Sequence, residues 1–400
     1  MTEQPTRIGI LGGGFGGLYT ALRLSQLDWP PIAKPEIILV DRSDRFLFAP
    51  LLYELMTGEL QTWEIAPLFQ DLLAGTGVQF RQGVVSHIDL EGKRVQFETG
   101  PDLVCDRLVL AMGGETPTIA IPGVAESAFP FRTVADAYRL EAQLQQLEAD
   151  RDREKIRVAV VGGGYSGVEL ACKLAERLQD RGRLRIVEQG TEILRTSPDF
   201  NRKAADAALK EHGIWLDLET SVEAIAPDSI SLNYKGTVDT IPVDIVIWTV
   251  GTQVAAAIAA LPVKQNQRGQ VVVTPTLQVF EHPDVYALGD LADCKDADGQ
   301  QVSTTAQVAI QQADYVGWNI WASLCDRPLL PFRYQHLGEM MTLGIGDATL
   351  TGLGLKLNGP LAVVARRLAY LYRMPTLDHQ IRVGLNWMTQ PIATLLESLT

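Results

Sequence analysis

Residues 160–171, VVGGGYSGVELA, repeat the outline of residues 10–21, ILGGGFGGLYTA. In each stretch an apolar run reads as a buried strand, three spaced glycines follow, and the next segment reads as a helix. The glycines are Gly12, Gly14 and Gly17 in the first copy and Gly162, Gly164 and Gly167 in the second. In a strand–turn–helix unit the first glycine permits a tight turn, the second lets the backbone approach a pyrophosphate, and the third lets helix and strand pack closely. The pyrophosphate then rests on the positive end of the helix. One such glycine pattern also fits an ordinary turn, so the surroundings decide. EIILVD ends in Asp41, 24 residues after Gly17, and LRIVE ends in Glu188, 21 residues after Gly167. An acid at the end of the second strand is the acceptor that a ribose hydroxyl pair needs. With strand, glycines, helix, strand and acid all present twice, the sequence predicts two dinucleotide-binding folds.

A chain of 400 residues, 46% hydrophobic and 21% charged, is long enough for two or three domains with real cores. Its formal net charge of −13 argues against non-specific nucleic-acid binding. Cys105, Cys172, Cys294 and Cys325 form no CxxC pair and no metal-ligand spacing, so they read as buried thiols of a reducing compartment and no metal site is expected. No signal-peptide pattern precedes the first strand, and no apolar run approaches the ~18 residues of a spanning helix. These features together read as a cytoplasmic location.

The first glycine motif continues through residues 44–60 into GVVSHIDLEGKRVQF (83–97), whose alternation around Glu91-Gly92 reads as a hairpin. CDRLVLAMGGETP (105–117) reads as a buried strand broken by glycines, and IAIPGV (119–124) as a crossing linker. A charged helix at about 133–155 leads into the second motif, which closes with DIVIWTVGTQ (244–253). The expected organisation is therefore a discontinuous first domain, 1–118 and 263–344, with a second domain, 119–262, inserted into it, and a C-terminal segment, 345–400. VYALGD (285–290) delivers Asp290 into a loop after Gly289, where it could cap a helix or, in a flavoprotein of this layout, accept from a ribityl chain.

These stretches resemble the two-dinucleotide-binding-domain flavoproteins of the glutathione-reductase-like type over roughly residues 5–340. The resemblance implies an α/β fold of two Rossmann-like domains, the first holding FAD and the second NADH or NADPH. Within that group a disulfide reductase needs a redox cysteine pair near the flavin, and none is visible. TTAQVAIQQA (304–313) instead resembles the AQxAxQQ signature of type II NAD(P)H:quinone oxidoreductases. Gln307 and Gln311, four apart, share a helix face, and an uncharged amide can bond a quinone carbonyl in an apolar slot.

The resemblance implies further site residues. FAPLLYEL (48–55) is similar to the family's segment over the flavin, placing Pro50, Leu51, Leu52 and Tyr53 near the isoalloxazine. Phe15, Arg42, Val85, Ala111, Gly113, Asp290 and Ala306 join the first set of glycines and Asp41 as candidate cofactor contacts; Tyr165, Ser166 and Gly251 join the second set and Glu188. Glu169 matches a family glutamate beside nicotinamide and flavin, with a proposed influence on hydride or proton transfer; as bare sequence it also fits the favourable first turn of a helix. Glu188 favours NADH, because a carboxylate repels a 2′-phosphate, while the neighbouring Arg183, Arg185 and Gln189 could soften that preference. RFLFAPLLYELMTGELQTWEIAP (45–67) resembles the cyanobacterial and plastid branch, which is associated with demethylphylloquinone and plastoquinone reduction.

In the tail, Leu361, Val364, Leu368, Leu371 and Tyr372 fall on one helical face, with Arg366, Arg367 and Arg373 away from it. From 345 onward the bases are Lys356, Arg366, Arg367, Arg373 and Arg382 and the acids Asp347, Asp378 and Glu397, a balance suited to an amphipathic helix on an anionic membrane surface. The alternative is a helix docked on the body or on a second copy, which leaves a homodimer open. The expected protein is thus a peripheral enzyme on a cytoplasmic or thylakoid membrane surface that passes two electrons from NAD(P)H to a prenylquinone without pumping protons. The rival readings are a soluble reductase of the ferredoxin or rubredoxin type and a slow flavin-based redox sensor.

Overall fold

The computed structural model describes residues 5–30, 34–117 and 120–397, with side chains through residue 389. The chain forms two compact units, each built from distant parts of the sequence: 1–47, 66–115 and 252–335 in the first, 48–65, 116–251 and 336–400 in the second.

The core of the first unit is a six-stranded sheet in the order Gln278–Val279, His282–Ala287, Arg107–Leu110, Arg7–Leu11, Glu36–Asp41, Gln79–Gln82. All neighbours are parallel except the first pair. Strands covered on both faces need continuous apolar runs, and Ile8, Ile10, Leu11, Leu39, Leu108, Val109 and Leu110 are all buried. The glycine turn at 12–14 feeds the helix Phe15–Gln26, which packs against the long helix Ala306–Leu324. The expected hairpin forms from Val85–Asp89 and Arg94–Phe97 and gains a third strand, Leu103–Val104, which sequence alternation alone did not single out. Gly114–Glu115 pairs antiparallel with Gln253–Val254, so the chain leaves this unit and re-enters it on adjacent strands.

The second unit centres on a fully parallel five-stranded sheet ordered Trp215–Asp217, Gly182–Val187, Ile156–Val161, Ile245–Trp248, Ala128–Pro130. The helix Tyr165–Leu178 follows the second glycine turn. The charged helix spans Val134–Ala149 and starts at a capping box in which Thr133 and Asp136 satisfy each other's backbone donors. Two three-stranded antiparallel sheets complete the unit: Thr220–Ala226, Ser229–Tyr234 and Thr237–Pro242, then Glu339–Thr342, Ala348–Gly352 and Leu355–Asn358.

The tail is helical, Pro360–Arg373 and Leu377–Glu397, broken at Pro375 as its sequence suggests. By its contacts it groups with the second unit, as does the 48–65 segment. The expected boundary at 118/119 falls on Thr118 and Ile119, outside the described residues, and the short helix Ala256–Ala259 groups with the first unit. The side chain of Glu397 also lies outside the described residues.

Most of the outer tail face is as the periodicity predicts: Leu361, Val364, Leu368 and Tyr372 are exposed, and Leu377, Ile381, Leu385 and Met388 continue the exposure on the last helix. Leu371, expected on that face, is instead half-buried beside Gly384 of the last helix. Arg366 departs from expectation. Instead of facing solvent or lipid head groups it is 3% exposed, because carboxylates of the same unit draw it inward.

Candidate functional site

The two glycine loops are built alike. Gly12 has φ +99° and Gly162 φ +114°, conformations in which only glycine is unstrained. A Cβ on Gly17 would overlap the Gly12 carbonyl oxygen, and one on Gly167 the Gly162 carbonyl oxygen, so the third glycine lets each helix close onto its own loop. A Cβ on Gly14 or Gly164 would meet nothing within 4 Å. Both middle glycines therefore present bare backbone to open space at a helix N-terminus, a cradle that fits a pyrophosphate.

Each second-strand acid is fixed by its loop. Asp41 accepts from the Gly13 amide at 2.6 Å and from Ser43 at 2.8 Å; Glu188 accepts from the Gly163 amide at 2.7 Å and from Gly190 at 2.6 Å. A carboxylate has about four acceptor positions, so each keeps capacity for ribose hydroxyls. Burial raises the Asp41 pKa against those backbone bonds. Arg185 is drawn to Asp217 at 2.9 Å, and Arg183 lines a cavity of about 400 Å3 with Lys155, Arg157 and Trp215, so neither basic residue is engaged with Glu188.

Within the first unit, Ala111 follows the central strand and donates to Leu11 at 2.8 Å, and Gly113 has φ +62°. Phe15 meets Phe46 edge-on at 5.3 Å, Arg42 pairs with Glu115 at 2.8 Å, and Val85 opens the antiparallel sheet. Asp290 lies in the short turn Gly289–Leu291. Ala306 begins the glutamine helix, whose cap Thr305 accepts from Val308 at 3.3 Å. Gln307 accepts from the Tyr334 hydroxyl at 2.7 Å, and Gln311 exchanges two bonds with the Gln335 backbone, at 2.9 and 3.0 Å. The two amides thus share a face as expected, and both hold the 334–335 segment. Gln312, not chosen from the sequence, is buried and accepts from Gly289 at 2.8 Å, which orients the Asp290 turn; its place one residue after Gln311, on the inward face of an apolar helix, was the available signal.

In the second unit the 48–65 segment carries Leu52, 2% exposed, and Tyr53, whose hydroxyl donates to Ser166 at 2.9 Å. Tyr165 reaches Ser197 at 2.7 Å and also bonds Glu339. Gly251, at φ +85°, follows the strand Ile245–Trp248. Glu169 is buried; its Oε1 accepts from the Thr342 amide at 2.9 Å and stands 3.5 Å from Arg366 Nη2. Burial pushes its carboxyl up to about 7, opposed chiefly by the Arg366 charge.

Three glutamates of 48–65, spaced by five, carry the remaining contacts, and sequence reading passed over them. Glu54 accepts from Arg366 Nη1 at 2.5 Å. Glu59 pairs with the fully buried Lys173 and, at 3.1 Å, with Arg367. Glu64 accepts from Trp387 at 2.8 Å and Asn386 at 3.1 Å, and its carbonyl meets His379 at 2.8 Å. Charged residues recurring in an otherwise apolar stretch are the signal that buried partners exist elsewhere in the chain.

Cys105, Cys172 and Cys294 are buried, and burial raises each thiol pKa, to about 12 for Cys105 and Cys294. None has the low-pKa, accessible thiolate of a redox cysteine.

Residues 6–313 match the family profile of the pyridine nucleotide-disulphide oxidoreductases. The chain is 55% identical to demethylphylloquinone reductase NdbB of Synechocystis, over 100% of this chain and 99% of that one. It is 44% identical to the alternative NAD(P)H-ubiquinone oxidoreductase C1, chloroplastic/mitochondrial, of Arabidopsis thaliana, covering 98% and 83% of the two chains. Among solved structures, NDH2 of Plasmodium falciparum in complex with NADH shares the fold with a TM-score of 0.84 at 18% identity, over 97% and 98% of the chains. Twin glycine loops, the absence of a reactive cysteine pair among the described residues and full-length likeness to quinone reductases agree: the chain belongs to the pyridine nucleotide-disulphide oxidoreductase family, in its type II NAD(P)H:quinone oxidoreductase branch of cyanobacterial and plastid character.

Proposed function

We propose that this protein is an FAD-dependent oxidoreductase that moves two electrons from NAD(P)H to a prenylquinone of the demethylphylloquinone or plastoquinone type. The observation that carries this reading is the 55% identity, end to end, with a demethylphylloquinone reductase. When bound, FAD supplies the two-electron chemistry, taking hydride from the nicotinamide and returning the electron pair to the quinone.

The first unit is the FAD-binding domain in this reading: the amides around Gly14 take the pyrophosphate, Asp41 the adenosine ribose, and Asp290 the ribityl chain. The second unit is the NAD(P)H-binding domain, with Gly164 at the pyrophosphate and Glu188 at the ribose. Glu188, bonded by two backbone amides and with Arg185 drawn away by Asp217, favours NADH over NADPH. Burial brings the Glu169 carboxyl up to about 7, the range that suits a group assisting proton transfer near neutrality. Gln307 and Gln311 act on the quinone side, their amides kept in place by Tyr334 and Gln335.

No described helix is long and apolar enough to cross a membrane. The exposed row Leu361, Val364, Leu368 and Tyr372, with Leu377, Ile381, Leu385 and Met388, supports a tail lying in the membrane interface, which gives a peripheral enzyme without proton pumping.

Steady-state oxidation of NADH and NADPH by the FAD-loaded protein, each with a naphthoquinone and a benzoquinone acceptor, tests the reading. Turnover should be fastest with NADH and a prenyl naphthoquinone, and the protein should sediment with anionic lipid vesicles. Rapid flavin reduction without turnover on any quinone would move the assignment to a protein acceptor. Self-association of the vesicle-free protein through the tail would mean that a second copy covers that face.

A further inference from the structure

The tail helix Pro360–Arg373 has two faces with different tasks. Leu361, Val364, Leu368 and Tyr372 point outward, while Ala362 and Arg366, one turn apart, are buried. Arg366 lies among groups of two other elements of its unit, the 48–65 segment and the helix Tyr165–Leu178. Its Nη1 donates to Glu54 at 2.5 Å, its Nη2 donates to the Pro50 carbonyl at 2.9 Å and stands 3.5 Å from Glu169 Oε1, and its Nε is a buried donor without an acceptor among the described residues. Glu54 Oε2 is likewise buried without a donor. A guanidinium and two carboxylates, each no more than 5% exposed, cannot be explained as surface ion pairing. A buried pair contributes little net stability over apolar replacements, yet removing one partner is costly.

We infer that Arg366 is a positioning residue for Glu169: the tail helix delivers a guanidinium that stands against both buried carboxylates, and so belongs to the reaction centre as well as to the membrane face. The inference rests on the proposed role of Glu169.

The charge balance around Glu169 supports this. The 48–65 segment presents Glu54 and Tyr53 to it, and Glu54 disfavours its ionisation. Its own helix presents Lys173, Tyr165 and Cys172; Lys173 favours ionisation, and its ammonium is bound to Glu59. The strand Glu339–Thr342 contributes the Thr342 amide, and its Glu339 is bonded to Tyr165. The tail contributes Arg366 and Tyr370, and Arg366 is the largest influence opposing the effect of burial. Without Arg366, two buried carboxylates share one apolar pocket and compete for the remaining positive charge.

The sign follows from which group is removed. Arg366→Met takes away the cation and raises the proton affinity of Glu169. Glu54→Gln takes away the competing anion, leaves Arg366 to Glu169 alone, and lowers it. General loss of packing would not move the two variants in opposite directions.

The test is infrared pH titration of the full-length, FAD-loaded protein, following the protonated-carboxyl band that disappears in Glu169→Gln. The expected midpoint is about 7 in the unaltered protein. It should rise by ~1–3 pH units in Arg366→Met and fall in Glu54→Gln, with Arg366→Lys between the unaltered protein and the methionine variant. Should Arg366→Met fail to fold, the downward shift in Glu54→Gln and the intermediate Arg366→Lys midpoint remain as tests. An unmoved midpoint, or shifts of the same sign, would overturn the inference. Unchanged turnover in Glu169→Gln would instead overturn the proposed role of Glu169, and it is read separately from the band.

Discussion

The two glycine loops differ little, and the helices that follow them differ greatly. Gly12 and Gly162 share a positive φ, Gly17 and Gly167 share the same closeness to a carbonyl, and Asp41 and Glu188 hold the amide of the residue between. The helix Phe15–Gln26 then buries Leu18, Thr20, Ala21, Leu22 and Leu24, with no charge among its buried residues. The helix Tyr165–Leu178 buries Glu169 and Lys173, one turn apart, on the same face. Grip on a dinucleotide comes from a loop that can be repeated unchanged. The charges that distinguish one site from the other are added in the second and third turns of the helix, where no loop rule reaches them.

The hardest break in this comparison is at the third glycine. Gly17→Ala places a Cβ on the Gly12 carbonyl, and Gly167→Ala does the same at Gly162. Overpacking of this kind costs at least about 1–3 kcal/mol, and the neighbour here is backbone, which cannot rotate away. Gly17→Ala should yield protein lacking the yellow flavin absorbance, whereas Gly167→Ala should keep the flavin and lose its fast reduction by NADH in stopped flow. If both variants lose flavin equally, the division of the two cofactors between the two loops is wrong.

The next effect separates the helices. Lys173→Met removes the buried cation of Glu59, which is 11% exposed at its side chain and keeps Arg367 at 3.1 Å. The cost in denaturant unfolding of the second unit should therefore be about 1–3 kcal/mol, below that of a fully stranded buried charge. A double change, Lys173→Met with Glu59→Leu, should recover much of that loss. No comparable loss is expected from Arg23→Met in the first helix, a residue that forms no ion pair among the described residues and that neighbours Gly317.

The smallest effect sharpens the loops themselves. Glu188→Gln removes the charge that repels a 2′-phosphate while keeping an acceptor for the ribose. The ratio of kcat/KM for NADH over NADPH should fall about tenfold, roughly the 1.4 kcal/mol of one modest electrostatic discrimination. A ratio that does not change would mean that Glu188 serves only to brace Gly163 and Gly190.

What could be read from the sequence was local. The glycine loops, the acids at Asp41 and Glu188, the hairpin around Glu91-Gly92 and the first tail helix all follow from spacings of a few residues to a few tens. The pairings that give the second unit its character span the chain: Arg366 meets Glu54 across 312 positions, and Trp387 meets Glu64 across 323. Helical periodicity assigned Arg366 to the polar side of the tail, which is correct for an isolated helix on a membrane. It is wrong for a helix whose polar side meets buried carboxylates. Gln307 and Gln311 show the same limit, since their shared face was legible but their partners Tyr334 and Gln335 were not.

The row of glutamates at 54, 59 and 64 also sets an order of assembly during synthesis. Their partners Arg366, Arg367, Asn386 and Trp387 emerge from the ribosome only 308 to 323 positions later. The first unit has all its segments once residue 335 has emerged, but the second still lacks the segment that starts at residue 336. Until then the three carboxylates stay hydrated and Phe48, whose ring meets Tyr370 edge-on at 5.4 Å, lacks its tail partner. A chain halted before its tail would therefore expose the hydrophobic surface that chaperones bind and proteases cut.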